Sequence, residues 1–146
     1  MIGVKKVEAE ISSWAGVLSY PHRFGGREFR LGNAEIGHIH PGGVVDIPFT
    51  RPLREELLAK GLAEQHRWVP DSGWTTFRVR RESDLPHALW LLRLSYLRYA
   101  MKSAKDPIVL FESESEHLGL SERMKSLLEP FLPKTSRHSL RQPISA

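Results

Sequence analysis

Apolar residues recur at helical spacing in three stretches of the chain and alternate with polar ones between them. Val4, Val7, Ile11 and Trp14 repeat every three or four positions with charges opposite, which predicts a first helix ended by Gly16. From Val17 the period drops to two. Residues 17–23, 27–31, 34–40 and 44–49 read as strands of an antiparallel meander, divided by Gly25-Gly26, Gly32-Asn33 and Pro41-Gly42-Gly43. Both Gly32 and Asn33 tolerate positive φ, so a two-residue hairpin turn is expected there. Thr50 is placed to cap a second helix that accepts Pro52 in its first turn, carries Leu53, Leu57 and Leu58 as its stripe, and stops at Gly61. A second hairpin follows, with strands at 63–69 and 74–80 around the turn Pro70-Asp71-Ser72-Gly73.

The longest helix begins after a Ser83 or Asp84 cap and carries two apolar stripes. Leu85, Leu89, Leu92, Tyr96 and Tyr99 form one; Trp90, Leu94, Leu97 and Met101 form the other. One sheet face needs a single stripe, so the second is expected to pack on the C-terminal extension, on the first helix or on another subunit. In the extension, residues 108–111 read as a short apolar strand or turn, Glu112, Glu114 and Glu116 as a solvated segment, and Ser121 as the start of a short helix with Met124, Leu127 and Leu128. The chain after Pro133 reads as a loose polar tail.

The expected fold is therefore α+β, a single antiparallel sheet of about six strands in the order α-ββββ-α-ββ-α with helices mainly on one face. Residues 1–103 form the domain and residues 104–146 its extension. Composition adds exclusions. The chain has no cysteine, which removes disulfides, iron–sulfur clusters, thiolate zinc sites and thiol nucleophiles. With no leader pattern at residue 1, a cytoplasmic setting is expected. The helix at 85–101 is interrupted by Arg93, Ser95 and Arg98, so no membrane span is expected. The net charge of +4 arises wholly in residues 1–103 and is too small to point to nucleic acid.

A set of short motifs occurs in one order: Trp14-Ala15-Gly16-Val17, Pro21-His22-Arg23-Phe24-Gly25-Gly26, Glu28-Phe29, Gly37-His38-Ile39-His40, Asp46-Ile47-Pro48-Phe49, Pro70-Asp71-Ser72-Gly73-Trp74 and Leu91-Leu92-Arg93-Leu94-Ser95-Tyr96. Together they resemble the luciferase-like domain family, small bacterial and fungal proteins whose molecular function is unassigned. The likeness covers roughly residues 10–100 and leaves the extension unmatched. No flavin or adenylate-forming machinery accompanies it. The strand with Trp74 and the helix ending in Ser95-Tyr96 are also similar, at the level of fold, to the MmcQ/YjbR-like α+β proteins.

The chemistry concentrates between Pro21 and Phe49. His38 and His40 stand two apart on a strand and so share a face, roughly 7 Å apart at a rise of about 3.3 Å per residue. A three-residue turn at Pro41-Gly42-Gly43 would bring Asp46 opposite His38, and His66 on the second hairpin would complete a set of metal candidates: His38, His40, Asp46 and His66. The bland reading makes the two histidines half-buried sheet residues bonded to Asp46, Arg27 or backbone. It is the commoner fate of a lone H-x-H pair, so no metal is expected. His22 and Arg23 beside Gly25-Gly26 offer donors for a phosphate or carboxylate, or simply a hairpin corner. The leading functional expectation is a small domain binding a small polar or anionic ligand, or a protein partner, near His22, Arg23, His38, His40 and Trp74. A metal-dependent enzyme and an interaction module using the Trp90, Leu94 and Leu97 face are the alternatives, with a homodimer open. No motif requires a cofactor, a divalent metal being the one the residues allow, and none decides for or against catalysis.

Overall fold

A computed structural model describes residues 4–69 and 71–136. The chain divides into two compact units, residues 1–96 and 97–146. In the first, helix α1 (Val4–Ser12) leads into strands β1 (Val17–His22), β2 (Gly26–Leu31), β3 (Ala34–Ile39) and β4 (Val44–Pro48). Helix α2 (Arg51–Ala59), the short strand β5 (Glu64–Gln65), strand β6 (Trp74–Arg78) and helix α3 (Leu85–Ser103), whose last residues from Leu97 belong to the second unit, follow. The six strands form one antiparallel sheet in the order β1-β2-β3-β4-β6-β5, which is the α+β architecture that the periodicity predicts.

Local chemistry explains most boundaries. The Thr50 hydroxyl accepts the Leu53 N–H at 3.4 Å, and Pro52 occupies the first turn of α2, where its missing N–H costs nothing. The β2–β3 hairpin closes between Leu31 and Ala34; of its two loop residues only Gly32 takes positive φ. β5 is the main departure, two residues where residues 63–69 read as a strand. There the His66 ring Nδ1 accepts the N–H groups of Trp68 and Val69 at 3.1 and 3.3 Å, so the side chain takes donors a ladder would have used.

Period-two alternation gives the sheet two unlike faces. Phe29, Ile39, Val45 and Ile47 are wholly buried on the core face. Each contributes about 1.5–3 kcal/mol relative to exposure. Gly37 also lies on this side: a Cβ there would come within 2.7 Å of Leu92 Cδ2, so its absence lets α3 sit close. The Ser95 hydroxyl on α3 donates to the Ile36 carbonyl at 2.8 Å, and Tyr96 donates to the Ala15 carbonyl at 2.8 Å. On the same side Glu8 of α1 accepts from Ser19 and pairs with Arg27. The opposite face carries the polar side chains described below.

Leu94, Leu97 and Met101, the second stripe of α3, are fully buried within the chain, and Trp90 is half-buried. Among the described residues no helix is long and apolar enough to cross a membrane.

In the second unit the segment after Asp106 is helix α4 (Pro107–His117), not the strand or turn expected at 108–111. Pro107 suits a first helical turn, and the Glu-Ser alternation, read as a solvated segment, follows the helix instead. Phe111, Glu114 and Ser115 form its buried side. Ser121 caps helix α5 (Glu122–Leu128) as expected, its hydroxyl accepting the Met124 N–H at 3.1 Å. Arg98, buried, lies over the rings of Tyr99 and Phe131 at 4.7 and 5.5 Å. Residues 134–136 are helical, and the rest of the expected tail, 137–146, lies outside the described residues.

Candidate functional site

One row of cross-strand partners organises the polar face. Tyr20, Glu28, His38, Asp46, Thr76 and Glu64 stand opposite one another in turn across all six strands. The three-residue turn after His40, closed by the His40 N–H bond to the Val44 carbonyl at 2.9 Å, sets His38 against Asp46. His22, at the end of β1, and His40, just past β3, flank the row.

Asp46 is the hub. Its Oδ2 accepts His38 Nε2–H at 3.2 Å and His40 Nε2–H at 3.0 Å. Its Oδ1 accepts the Thr76 hydroxyl at 2.7 Å and faces His66 Nε2 at 3.5 Å. Because His66 Nδ1 accepts two backbone N–H groups, the His66 proton sits on Nε2, directed at Asp46. Burial would raise the Asp46 pKa, but the bonds from His38, Thr76 and His40 and the electrostatic pull of the nearby His66 outweigh it and hold the carboxyl down at about 2.

His38 is bonded at both ends. Its Nδ1 faces Glu35 at 2.9 Å and its Nε2 faces Asp46. A carboxylate only accepts, so both ring nitrogens carry protons and the ring is a cation. Burial would lower the His38 pKa; the hydrogen bonds to Asp46 and Glu35, with their charges, overcome it and raise it to about 9. The His22 ring stacks on His38 with centroids 3.9 Å apart and planes 17° apart. His22 Nδ1–H donates to Glu28 at 3.1 Å, and Arg30 pairs with the other Glu28 oxygen. These bonds to His22 and Arg30 outweigh the opposing effect of burial and lower the Glu28 pKa. Trp74 closes the cluster, its ring 5.5 Å from His38 and 5.9 Å from His66.

The sheet thus brings together His22, His38, His40, Asp46, His66 and Trp74. Arg23 does not join them: it is exposed on the 3-10 turn Arg23–Gly25, beside the exposed Phe24, whose φ of 58° is left-handed. Glu28, Glu35 and Thr76 were not singled out in the sequence. Glu28 and Thr76 were accessible in principle, since each stands on the His38–Asp46 row. Beside the cluster a cleft of about 190 Å³ is lined by His40, Val44, Asp46, His66, Arg67, Trp68, Thr76 and Arg78.

Residues 33–95 match the family model of the Luciferase domain. The resemblance read from the motifs therefore holds for this span. The Luciferase-domain segment contains β3 to β6 and α3 as far as Ser95, hence Glu35, His38, His40, Asp46, His66, Trp74 and Thr76. His22 and Glu28, on β1 and β2, lie before it. No curated protein and no solved structure matches the chain.

Proposed function

We propose that this chain is a small ligand-binding domain that takes a small anionic or polar molecule into the cleft beside Asp46. The supporting observation is the sign of the groups on its walls. His40, His66, Arg67 and Arg78 line it against a single carboxylate, Asp46, whose oxygens already face four donors. The guanidinium groups are suited to a carboxylate or phosphate. Trp68, 78% exposed with Arg67 5.3 Å over its ring, adds a flat apolar wall. A volume of about 190 Å³ lies below the roughly 300–1,000 Å³ of drug-sized sites, which fits a ligand of few heavy atoms or one end of a larger one.

On this reading His38, His22 and Trp74 act from behind, fixing His40 and Asp46, and Arg23 takes no part. Titrating the full chain with inorganic phosphate and with benzoate, followed by tryptophan fluorescence, tests it. Saturable quenching that disappears in Arg67→Ala and Arg78→Ala is expected for at least one of the two anions. Lack of saturation by either probe up to roughly the millimolar range, where binding is worth only about 4 kcal/mol, would remove the reading.

A further inference from the structure

Three imidazoles converge on the polar face beside the cleft, and of the three only His40 also lines it. His22, His38 and His40 each offer a ring nitrogen, and the three atoms lie within 4.8 Å of one another. In a tetrahedral site with metal–nitrogen bonds of about 2.1 Å the donors stand about 3.4 Å apart, so His22 must turn out of its stack on His38 for their in-plane lone pairs to meet one ion. All three rings are partly or wholly withdrawn from solvent, with side-chain exposures of 18%, 11% and 31%.

The surroundings carry the case further than the count of histidines. Each imidazole is held by a carboxylate through one nitrogen: His22 Nδ1 by Glu28, His38 Nδ1 by Glu35, and His40 Nε2 by Asp46. Metal-ligating histidines are oriented in this way, the carboxylate fixing the tautomer and raising the basicity of the other nitrogen. His22 Nε2 and His40 Nδ1 have no protein partner among the described residues. His38 Nε2 is held by Asp46 alone, and Asp46 keeps His40 and Thr76 when that bond is given up. Three carboxylates around three imidazoles also set a negative environment suited to a cation.

We propose that His22, His38 and His40 form a binding site for one divalent first-row transition metal, with Glu28, Glu35 and Asp46 as the groups that orient the three rings. The ion replaces the proton on His38 Nε2, which passes to solvent. Neutral imidazole donors suit zinc, copper, iron or nickel rather than magnesium or calcium. Three protein ligands leave a position for water or another small molecule, the number of protein ligands found at catalytic rather than structural zinc. Asp46 and His66 are outside the set. His66 cannot offer Nε2 as a neutral ligand while Nδ1 accepts the Trp68 and Val69 N–H groups.

Full-length protein stripped with a chelator and titrated with zinc against a chromophoric competitor tests the site, with cobalt as a visible reporter. One ion per chain is expected, with a raised melting temperature and the d–d absorption of a four- or five-coordinate cobalt ion. Stoichiometric binding should be lost in His22→Ala and kept in both His66→Ala and His117→Ala. Glu28→Gln should weaken it about 10–100-fold. Failure of the wild type to bind zinc or cobalt one to one overturns the proposal. So does retention in His22→Ala, or loss in His66→Ala with retention in His22→Ala. Should circular dichroism show His22→Ala unfolded, the wild-type cobalt spectrum and the Glu28→Gln affinity decide. No anion is added in these measurements, so the outcome is independent of whether the neighbouring cleft takes one.

Discussion

Glu35 reaches His38 Nδ1 at 2.9 Å because Ile36 is bulged out of the β2–β3 ladder. Phe29 pairs with Gly37 and Arg30 with Glu35, which leaves Ile36 as the extra residue on β3. Strict alternation would send Glu35 and His38 to opposite faces; one inserted residue restores them to the same one. The expected consequence of Glu35→Gln is a His38 imidazole that titrates below its raised value of about 9, since one of the two carboxylates that hold its proton is gone. Imidazole proton shifts followed by NMR across pH check this. An unchanged His38 midpoint would show that the Glu35 bond does not form in solution.

The same pair of shifts fixes how stability of the metal-free protein depends on pH. His38 has a folded pKa of about 9 against an ordinary value of 6.5, so its contribution is complete below pH 6.5 and is lost as pH rises through 9. Asp46 has a folded pKa of about 2 against 3.8, so its contribution is present above pH 3.8 and is lost as pH falls through 2. Stability should therefore be highest between about pH 4 and 6.5. From there to pH 9 it should decline by up to about 1.4 kcal/mol for each pH unit. Urea unfolding in chelator-treated buffers measures the profile, and His38→Gln should flatten its alkaline limb. Rising stability from pH 6.5 to 9 would contradict the assignment.

Asp46→Asn removes the charge to which two imidazoles, a hydroxyl and a third imidazole are directed. One partner of a buried hydrogen-bonded set is then lost while the others stay in place, and unfolding free energy should fall by about 3 kcal/mol. Glu82→Gln is the comparison. Glu82 pairs with Lys6 at 2.6 Å on the surface and should change nothing measurable when replaced. Equal effects of the two substitutions would mean that the cluster adds little to the sheet.

Much of this arrangement was legible in the sequence, and the limits have physical causes. The period-two pattern with its glycine turns gave the meander, and the length of the Pro41–Gly43 turn was enough to face His38 with Asp46. Glu35 escaped because a bulge breaks the parity on which strand reading depends, and nothing in Ala34-Glu35-Ile36-Gly37 marks the break. The shortened β5 has a similar cause: His66 bonds the backbone of Trp68 and Val69, a choice between side chain and ladder that periodicity does not encode. Residues 107–117 were misread because Ile108, Val109 and Phe111 favour strands locally, whereas Pro107 and the glutamates after them favour the helix that forms. His22 was singled out for an anion, with Arg23. Its partner Glu28 instead turns it towards His38 and His40, and Arg23 stays in solvent.

Gly37 ties the histidine row to the core beneath it. It directly precedes His38 on β3, and an added Cβ would lie 2.7 Å from Leu92 Cδ2 and 3.0 Å from the Asp46 carbonyl oxygen. The first contact is with the end of a side chain that can move, the second with backbone of the neighbouring strand that cannot move without shifting Asp46. Gly37→Ala should therefore cost about 1–3 kcal/mol by overpacking. Adding Leu92→Ala should recover part of the steric cost, so that the double variant is less destabilised than the sum of the two single ones. Urea unfolding of the four proteins gives the coupling directly. If the two substitutions are additive, the closeness of α3 to β3 at Gly37 is not what the glycine provides, and the carbonyl contact with Asp46 must account for the whole loss.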